Sequence, residues 1–300
     1  MSKVLIIGSY AADLVSRADR LPLRGETVSG SDFSMGHGGK GSNQAVAANR
    51  LGCDVTFISR VGDDDFGKKV KEFYASEGLN TLLITDPVRP TGTALICVEE
   101  STGANQILMV PGACGAFTRE ELDSFVPLIK ECDYLLLQME INIDALEYVI
   151  ELASGLGTKV ILNTAPVRSI SERALSLVYM VTPNEHEAAA LTGISVDDDP
   201  SAALAAAEFH KKGIEKVLIT LGSAGSYFSD GNGEGRHFPA FPVCAVDSTG
   251  AGDVFNGGLV TALSEGKDIP EAIEFASKAA SVSVTRQGAA LSAPLRCEII

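Results

Sequence analysis

Short runs of β-branched and aliphatic residues alternate along this chain with longer, small-residue stretches of helical character. The apolar runs predict strands at Val4–Ile7, Val55–Ser59, Thr93–Val98, Tyr134–Leu137, Lys159–Leu162, Val178–Val181 and Lys216–Thr220. Between several of them, helical patterns cover Asn43–Leu51, Asp65–Glu77, Arg119–Lys130, Ile143–Ser154 and Ala202–Lys212. Gly52, Gly78 and Gly213 each follow a helical stretch, where a C-cap glycine belongs. Alternation of this kind over most of the length predicts a mainly parallel sheet covered by helices on both faces.

Two regions break the rhythm. Ala11–Ser34 has no helical period and holds Pro22, Gly25 and Gly30 among short strand-like pieces. Pro90–Pro111 holds two extended runs, Thr93–Val98 and Gln106–Val110, around the turn Glu100-Ser101-Thr102-Gly103. Both read as hairpin material, a small β-sheet standing off the main one. Such a flap could close over a substrate, and its outer face could pair with a second subunit. The acidic turn Asp197-Asp198-Asp199-Pro200 reads as a solvated loop.

Composition excludes several classes. No apolar run approaches the roughly 20 residues that cross a bilayer. The apolar stretch in Met1-Ser2-Lys3-Val4-Leu5-Ile6-Ile7-Gly8 is too short for a signal peptide and reads as a first strand, so a cytoplasmic protein is expected. A net charge of −15 argues against a nucleic-acid or anionic-membrane surface. The six cysteines lack a C-x-x-C pair and read as reduced and structural, and the four histidines lack metal-ligand spacing. The 300 residues fit one large α/β domain or two small ones, and the continuous alternation favours a single domain over 1–300.

The candidate chemistry lies in two glycine-rich segments. Asp247-Ser248-Thr249-Gly250-Ala251-Gly252-Asp253 runs into the apolar Val254–Leu259 and reads as a turn that opens a helix. The amides of Gly250, Ala251 and Gly252, with the positive end of the helix dipole, suit an anion. Asp253 beside them suits a base that takes a hydroxyl proton, a combination that points to phosphoryl transfer to a small alcohol. The second segment, Gly36-His37-Gly38-Gly39-Lys40-Gly41-Ser42-Asn43-Gln44-Ala45, lets backbone approach a ligand closely and offers a cation and an amide.

Familiar alternatives fail on spacing. A dinucleotide-binding G-x-G-x-x-G would need glycine at Tyr10 and Asp13, and Phe255 stands where Gly250-x-Gly252 would need a third glycine. A phosphate-binding P-loop would need glycine at Ser34 and Ser or Thr at Gly41. An NAD-dependent oxidoreductase is therefore not expected.

Taken together, the two segments resemble the two signatures of the phosphofructokinase-B-type carbohydrate kinase family. The first corresponds to Gly38 through Ala45 and the second to Asp247 through Gly257. Three weaker motifs accompany them: Gln138-Met139-Glu140, Thr182 through Glu187, and Thr220-Leu221-Gly222-Ser223-Ala224-Gly225. The resemblance covers essentially the whole chain. It implies a three-layer α/β/α sandwich with a mainly parallel central sheet and a small β-sheet lid from about 11–34 and 90–111.

It also implies ATP-dependent phosphorylation of a primary sugar hydroxyl, with Asp253 as general base and Gly250, Ala251 and Gly252 as the anion hole. Asp13, Gly39, Lys40, Gly41, Asn43 and Glu140, with Asp253, would hold the sugar. Asn184, Glu187, Thr220, Gly222, Ser223, Gly225, Gly252 and Ser277 would hold ATP, with Glu187 reaching Mg²⁺ through water. On the residues alone, Glu185 and Glu187 read equally as first-turn acids of a helix. The run Ser283–Ser292 resembles the family's monovalent-cation loop. There Asp247, Thr249, Ser292 and the carbonyls of Ser283, Arg286 and Gly288 would cage K⁺. Because the chain is acidic, potential for a nucleotide must come from helix N-termini, a divalent cation and a few basic side chains.

One position departs from the family pattern. Members that act on ribose usually carry asparagine where this chain has Ala11, and Tyr10 places a ring beside it. Ribose is the favoured sugar, with fructose, deoxyribose or a nucleoside as alternatives. A sugar-binding regulator without turnover is a rival from another class. The lid predicts a homodimer joined edge to edge.

Overall fold

The computed structural model describes residues 3–233 and 235–299, so Met1 and Ser2 of the expected first segment lie outside the described residues. In chain order the first elements are β1 (Val4–Ile7), β2 (Ala11–Ala18), β3 (Asp32–Gly38), α1 (Lys40–Arg50), β4 (Val55–Gly62), α2 (Asp65–Glu77) and β5 (Asn80–Asp86). β6 (Thr93–Glu99), β7 (Asn105–Val110), α3 (Arg119–Ser124), α4 (Val126–Glu131), β8 (Tyr134–Gln138), α5 (Ile143–Gly155) and β9 (Lys159–Asn163) follow. Then come α6 (Glu172–Leu175), β10 (Met180–Val181), α7 (Glu185–Thr192), α8 (Asp199–Lys211) and β11 (Lys216–Thr220). The chain closes with β12 (Ser226–Ser229), β13 (Arg236–Phe238), α9 (Ala251–Ser264) and α10 (Ile269–Ser283).

The main sheet runs β13-β12-β11-β10-β9-β8-β1-β4-β5. Its strands are parallel from β11 through β5, and β12 and β13 are antiparallel additions at one edge. β1 is apolar throughout because both its faces are covered: Leu5 and Ile7 pack into one core, Val4 and Ile6 into the other. Residues of α3 to α8 fill the first core, and residues of α1, α2, α9 and α10 fill the second. The expected three layers are therefore present.

β1 sits where the winding reverses. The chain proceeds from β1 to β4 and β5 on one side, and from β8 through β11 on the other. A crevice opens at the carboxyl ends of strands at such a switch point. Over it stands the small sheet β3-β2-β6-β7, tethered to the end of β1 by the short link Gly8-Ser9-Tyr10. Pairing in register places Leu14, Met35, Leu95 and Leu108 on one lid face, of which Met35, Leu95 and Leu108 are exposed.

The sequence expectations meet several corrections. α1 starts at Lys40 rather than Asn43, and β3 continues to Gly38, so the glycine-rich segment is the junction of a strand and a helix. The expected helix 119–130 divides at Phe125, since Pro127 supplies no amide and crowds the preceding turn. The strand expected at Val178–Val181 shrinks to β10, because the Val178 N–H is spent closing the turn after α6 on the Leu175 carbonyl. The acidic turn at 197–200 is no loose loop: Asp198 caps α8, accepting from Ser201 N, and Asp199 opens the helix. β5, β12, β13, α6 and α10 were not foreseen.

The second core depends on a close seam between α1 and α9. A Cβ on Gly257 would lie 2.7 Å from Ala47 Cβ and 2.8 Å from the Gln44 carbonyl oxygen. In an isolated helix Gly→Ala is worth about 1 kcal/mol of stability. Here the overpacking penalty of about 1–3 kcal/mol dominates. Gly257→Ala is therefore expected to lower the urea midpoint, and an unchanged or raised midpoint would mean that the seam is looser than this.

Candidate active site

Two helices begin at the crevice in the same way. Gly39 (φ 87) precedes α1 and Gly250 (φ 76) precedes α9, and no side chain caps either start. Positive φ at a junction of this kind favours glycine. The uncapped first turns leave amide donors facing the crevice. In α1 they are already used: Lys40 N donates to Glu140 Oε2 at 2.8 Å and Ser42 N to the Ser9 carbonyl at 2.9 Å. In α9, Ala251 N donates to the Ser248 carbonyl at 3.2 Å, a long bond that leaves Gly250 and Gly252 as the freer part of the expected anion hole.

Asp253, in the first turn of α9, is 6% exposed and lies directly across from α1. Asn43 Nδ2 donates to its Oδ2 at 2.9 Å and Gln44 Nε2 to its Oδ1 at 3.0 Å. Asn43 Oδ1 is buried without a partner, an acceptor whose lost hydration a ligand hydroxyl would make good. A Cβ on Gly41 would lie 2.7 Å from Gly8 Cα, so its lack of a side chain serves the approach of α1 to the link after β1.

Carboxylates crowd the same space. Glu140, just past β8, accepts from Ser9 Oγ and Lys40 N, and burial pushes its pKa up despite the nearby Lys40 ammonium. Asp13 projects from β2 on the crevice side, its carboxyl lying over Gly38. Burial first, then repulsion from Glu140 and Asp253, raises its pKa to about 6. The Lys40 ammonium is held charged chiefly by Asp253, with Glu140 and Glu187 adding against the opposing effect of burial. Lys40 and Asp253, 213 positions apart in sequence, thus share one cleft with Asp13, Glu140 and Glu187.

Glu187 bears out the first-turn reading of its motif. It is the third helical residue of α7 in a reciprocal box with Asn184, accepting from Asn184 N at 3.0 Å while its own N–H donates to Asn184 Oδ1 at 2.8 Å. Burial raises its pKa, and both Lys40 and Asp253 act on it, so the capping acid also faces the cleft. Asn184 bridges to Thr220, which places the ends of β10 and β11 side by side. Gly222, Ser223 and Gly225 form the turn after β11, and Ser277 lies half-buried on α10.

The segments expected to form the cation loop meet through hydrogen bonds of their own. Asp247 N donates to the Val284 carbonyl, Gly288 N to Asp247 Oδ2 at 3.0 Å, and Thr249 N to Asp247 Oδ1 at 2.9 Å. Burial raises the Asp247 pKa, but these bonds outweigh it and hold the carboxyl below its ordinary range. The Ser283 carbonyl accepts from Arg286 N, and the Arg286 side chain pairs with Glu298. Arg286 is thereby left only its carbonyl for a cation.

Tyr10 requires a correction. Alternation along the strand turns Tyr10 and Ala12 away from the face that carries Ala11 and Asp13. The Tyr10 ring packs edge-on against Tyr74, and its hydroxyl meets His37 Nδ1 at 3.0 Å. Of Tyr10 and Ala11, only Ala11 shares the strand face of Asp13. Sequence reasoning also missed a set of buried polar residues, Asn163, Thr182 and Asn256, that connect with Gln44 and Gln138. A signal existed: Gln138, Asn163 and Thr182 each follow directly on an apolar strand run.

A doubly wound sheet with a lid over its switch point, and two helix starts converging on a buried acid and a lysine, defines a ribokinase-like fold. A family model described as pfkB family carbohydrate kinase matches residues 1–296, and the chain belongs to that family. It is 44% identical over 302 residues to a ribokinase of Haemophilus influenzae, covering 100% of this chain and 98% of that protein. It is 34% identical over 293 residues to a deoxyribokinase of Salmonella typhi, covering 97% and 95%. The structure matches an Arabidopsis thaliana ribokinase, solved in complex with ribose and ATP, with TM-score 0.91 and 31% identity over 99% of this chain and 97% of that one.

The raised Asp13 pKa has a measurable consequence. A carboxyl with a native pKa near 6 and an unfolded value of 3.8 binds more protons when folded. Its ionisation therefore erodes stability as pH rises from about 4 to about 6, and the loss persists above that window. Asp13→Asn is expected to stabilise the ligand-free protein by at most about 3 kcal/mol at pH 8, with the gain vanishing near pH 4. Urea melts at both pH values check this; an equal gain at both would remove the charge explanation.

Proposed function

We propose that this protein phosphorylates the primary hydroxyl of D-ribose with ATP, yielding ribose 5-phosphate and ADP. The observation that carries the reading is the pairing of Asp253 with the start of α1: an acid fixed on both oxygens by Asn43 and Gln44, beside the uncapped start of α9. Asp253 takes the hydroxyl proton as that oxygen forms its bond to the γ-phosphorus and the bond to the β-phosphate oxygen breaks. Amides at Gly250, Ala251 and Gly252 stabilise charge on the moving group. Asp13, Gly39, Lys40, Asn43 and Glu140 grip the sugar, and the unpartnered Asn43 Oδ1 supports this as a waiting acceptor.

Asn184, Glu187, Thr220, Gly222, Ser223, Gly225 and Ser277 line the nucleotide side. No group of three or more His, Cys, Asp or Glu that could hold a metal occurs among the described residues. Glu187 would accordingly hold Mg²⁺ through water, which suits an ion that sheds its hydration shell reluctantly. Bound there, Mg²⁺ would neutralise phosphate charge. The all-oxygen set of Asp247, Thr249, Ser292 and the carbonyls of Ser283, Arg286 and Gly288 fits K⁺, which would steady the loop that leads to Asp253. One kinase unit over 1–300, a cytoplasmic location, and a homodimer through the exposed apolar residues of the lid complete the proposal.

Deoxyribose is the second reading, favoured by one observation. Ala11 shares a strand face with Asp13 and carries a methyl group where kinases of this family that act on ribose would carry an amide. An unpaired hydroxyl costs about 1–3 kcal/mol, enough to narrow the preference between the two pentoses. A panel of ribose, deoxyribose, fructose and nucleosides, read by ADP release, decides; ribose is expected to give the highest kcat/KM.

Asp253→Asn is expected to lower kcat by at least ~10²–10⁴-fold, the usual worth of a positioned base, while sugar and ATP still bind. Wild-type turnover in this variant would remove Asp253 from the chemistry. Replacing K⁺ by tetramethylammonium is expected to lower turnover, and unchanged activity would dismiss the cation loop.

A further inference from the structure

Asp253 is held from behind by a continuous chain of buried amides. Gln138 Nε2, at the end of β8, donates to Gln44 Oε1 at 2.6 Å. Gln44 Nε2 is shared between Asp253 Oδ1 at 3.0 Å and Asn163 Oδ1, at the end of β9, at 3.1 Å. Asn163 Nδ2 donates to the Thr182 carbonyl, Thr182 Oγ1 to Asn256 Oδ1, and Asn256 Nδ2 to the Gly252 carbonyl. The thread leaves three neighbouring strand ends, passes through α1 and returns to the first turn of α9. Gln44 and Gln138 are both 0% exposed, so neither has a face for substrate.

We infer that Gln44 is a positioning residue for the phosphoryl-transfer step, oriented by Gln138 and acting only through Asp253. This rests on the reading of Asp253 as the base. A carboxylate in the first turn of a helix can rotate about its side-chain torsions, and one rotamer must aim an oxygen at the sugar hydroxyl. Asn43 alone holds Oδ2 and leaves the group free to swing about that bond. The Gln44 donor on Oδ1 fixes the second point. Gln44 is itself fixed because its acceptor is taken by Gln138 and its donor also meets Asn163. Gln138 Oε1 has no partner of its own, but the connected donors and acceptors on Gln44 still disfavour its other rotamers, and breaking one bond loosens the rest.

Gln44→Met keeps length and bulk and removes the donor. The expected result is a fall in kcat of ~10–100-fold per binding-competent site, from misplacement of the base, with KM for sugar and ATP within about two-fold of wild type. Competent sites are counted by calorimetric titration with sugar, so a purely structural role would lower that count and leave kcat per site intact. Gln138→Met, one bond further from Asp253, is expected to cost less, and the double variant should be no slower than Gln44→Met alone. It also carries the test should Gln44→Met not fold.

Wild-type kcat per site in these variants, or a rise in KM alone, would overturn the inference. Multiplying effects in the double variant would overturn the orienting role of Gln138. Asp253→Asn separates the two levels. If it keeps turnover, the base reading falls; if it loses turnover while Gln44→Met does not, only the positioning role falls.

Discussion

The meeting of α1 and α9 over the carboxyl end of β1 is the constraint on which the rest of the cleft depends. Each helix starts at a glycine with positive φ, and the seam between them is close enough that Gly257 has no room for a side chain. This proximity lets Asn43 and Gln44 span from one helix to the acid on the other. A seam wider by the width of a methyl group would stretch both hydrogen bonds beyond useful length. Packing in the second core and the orientation of Asp253 are therefore one problem with one solution.

Electrostatics give the cleft its second property. Asp13, Glu140, Glu187 and Asp253 surround a single ammonium, Lys40. Asp253 is buried and the other three carboxyls are half-buried, and the pKa values of Asp13, Glu140 and Glu187 are raised by that burial first and by repulsion from neighbouring carboxylates second. The whole chain carries −15, so no surrounding field relieves it. Sugar hydroxyls suit such a place, since they donate to carboxylates without adding charge. A nucleotide does not, unless its charge is met by helix amides and cations on the far side of Lys40.

Much of the frame was legible in the chain because strands covered on both faces announce themselves. β1, β11 and α2 have the bounds that the apolar pattern predicts. Edge strands did not announce themselves: β5 is half exposed and begins Asn80-Thr81, and β13 is three residues long. α10 was overlooked although Asp268 and Glu271 form a readable capping box ahead of it. The two glycine-rich segments revealed the converging acid and lysine, but four glycines before Asn43 read as loop where the backbone already turns helical at Lys40. The amide thread stayed hidden for a different reason. Its strand members are single polar residues at separate strand ends, its helix members Gln44 and Asn256 lie far apart in sequence, and only the parallel register brings Gln138 beside Asn163.

The lid and the sheet divide the work of the cleft in a way that bears on substrate choice. Asp253, Gln44, Asn163 and Asn256 all hang from the sheet and its two helices, within one rigid packed body. Ala11 and Asp13 instead belong to β2, held mainly by pairing with β3 and β6. A change on β2 can thus alter the lid side of the cleft without moving Asp253. Ala11 lies on that strand and makes no side-chain bond to the residues that hold Asp253. Tyr10, by facing Tyr74 and His37, anchors the start of the same strand to α2 and keeps Ala11 at a fixed height over the cleft. A substitution on β2 can therefore change the polar groups near Asp13 while leaving the packing that holds Asp253 unchanged.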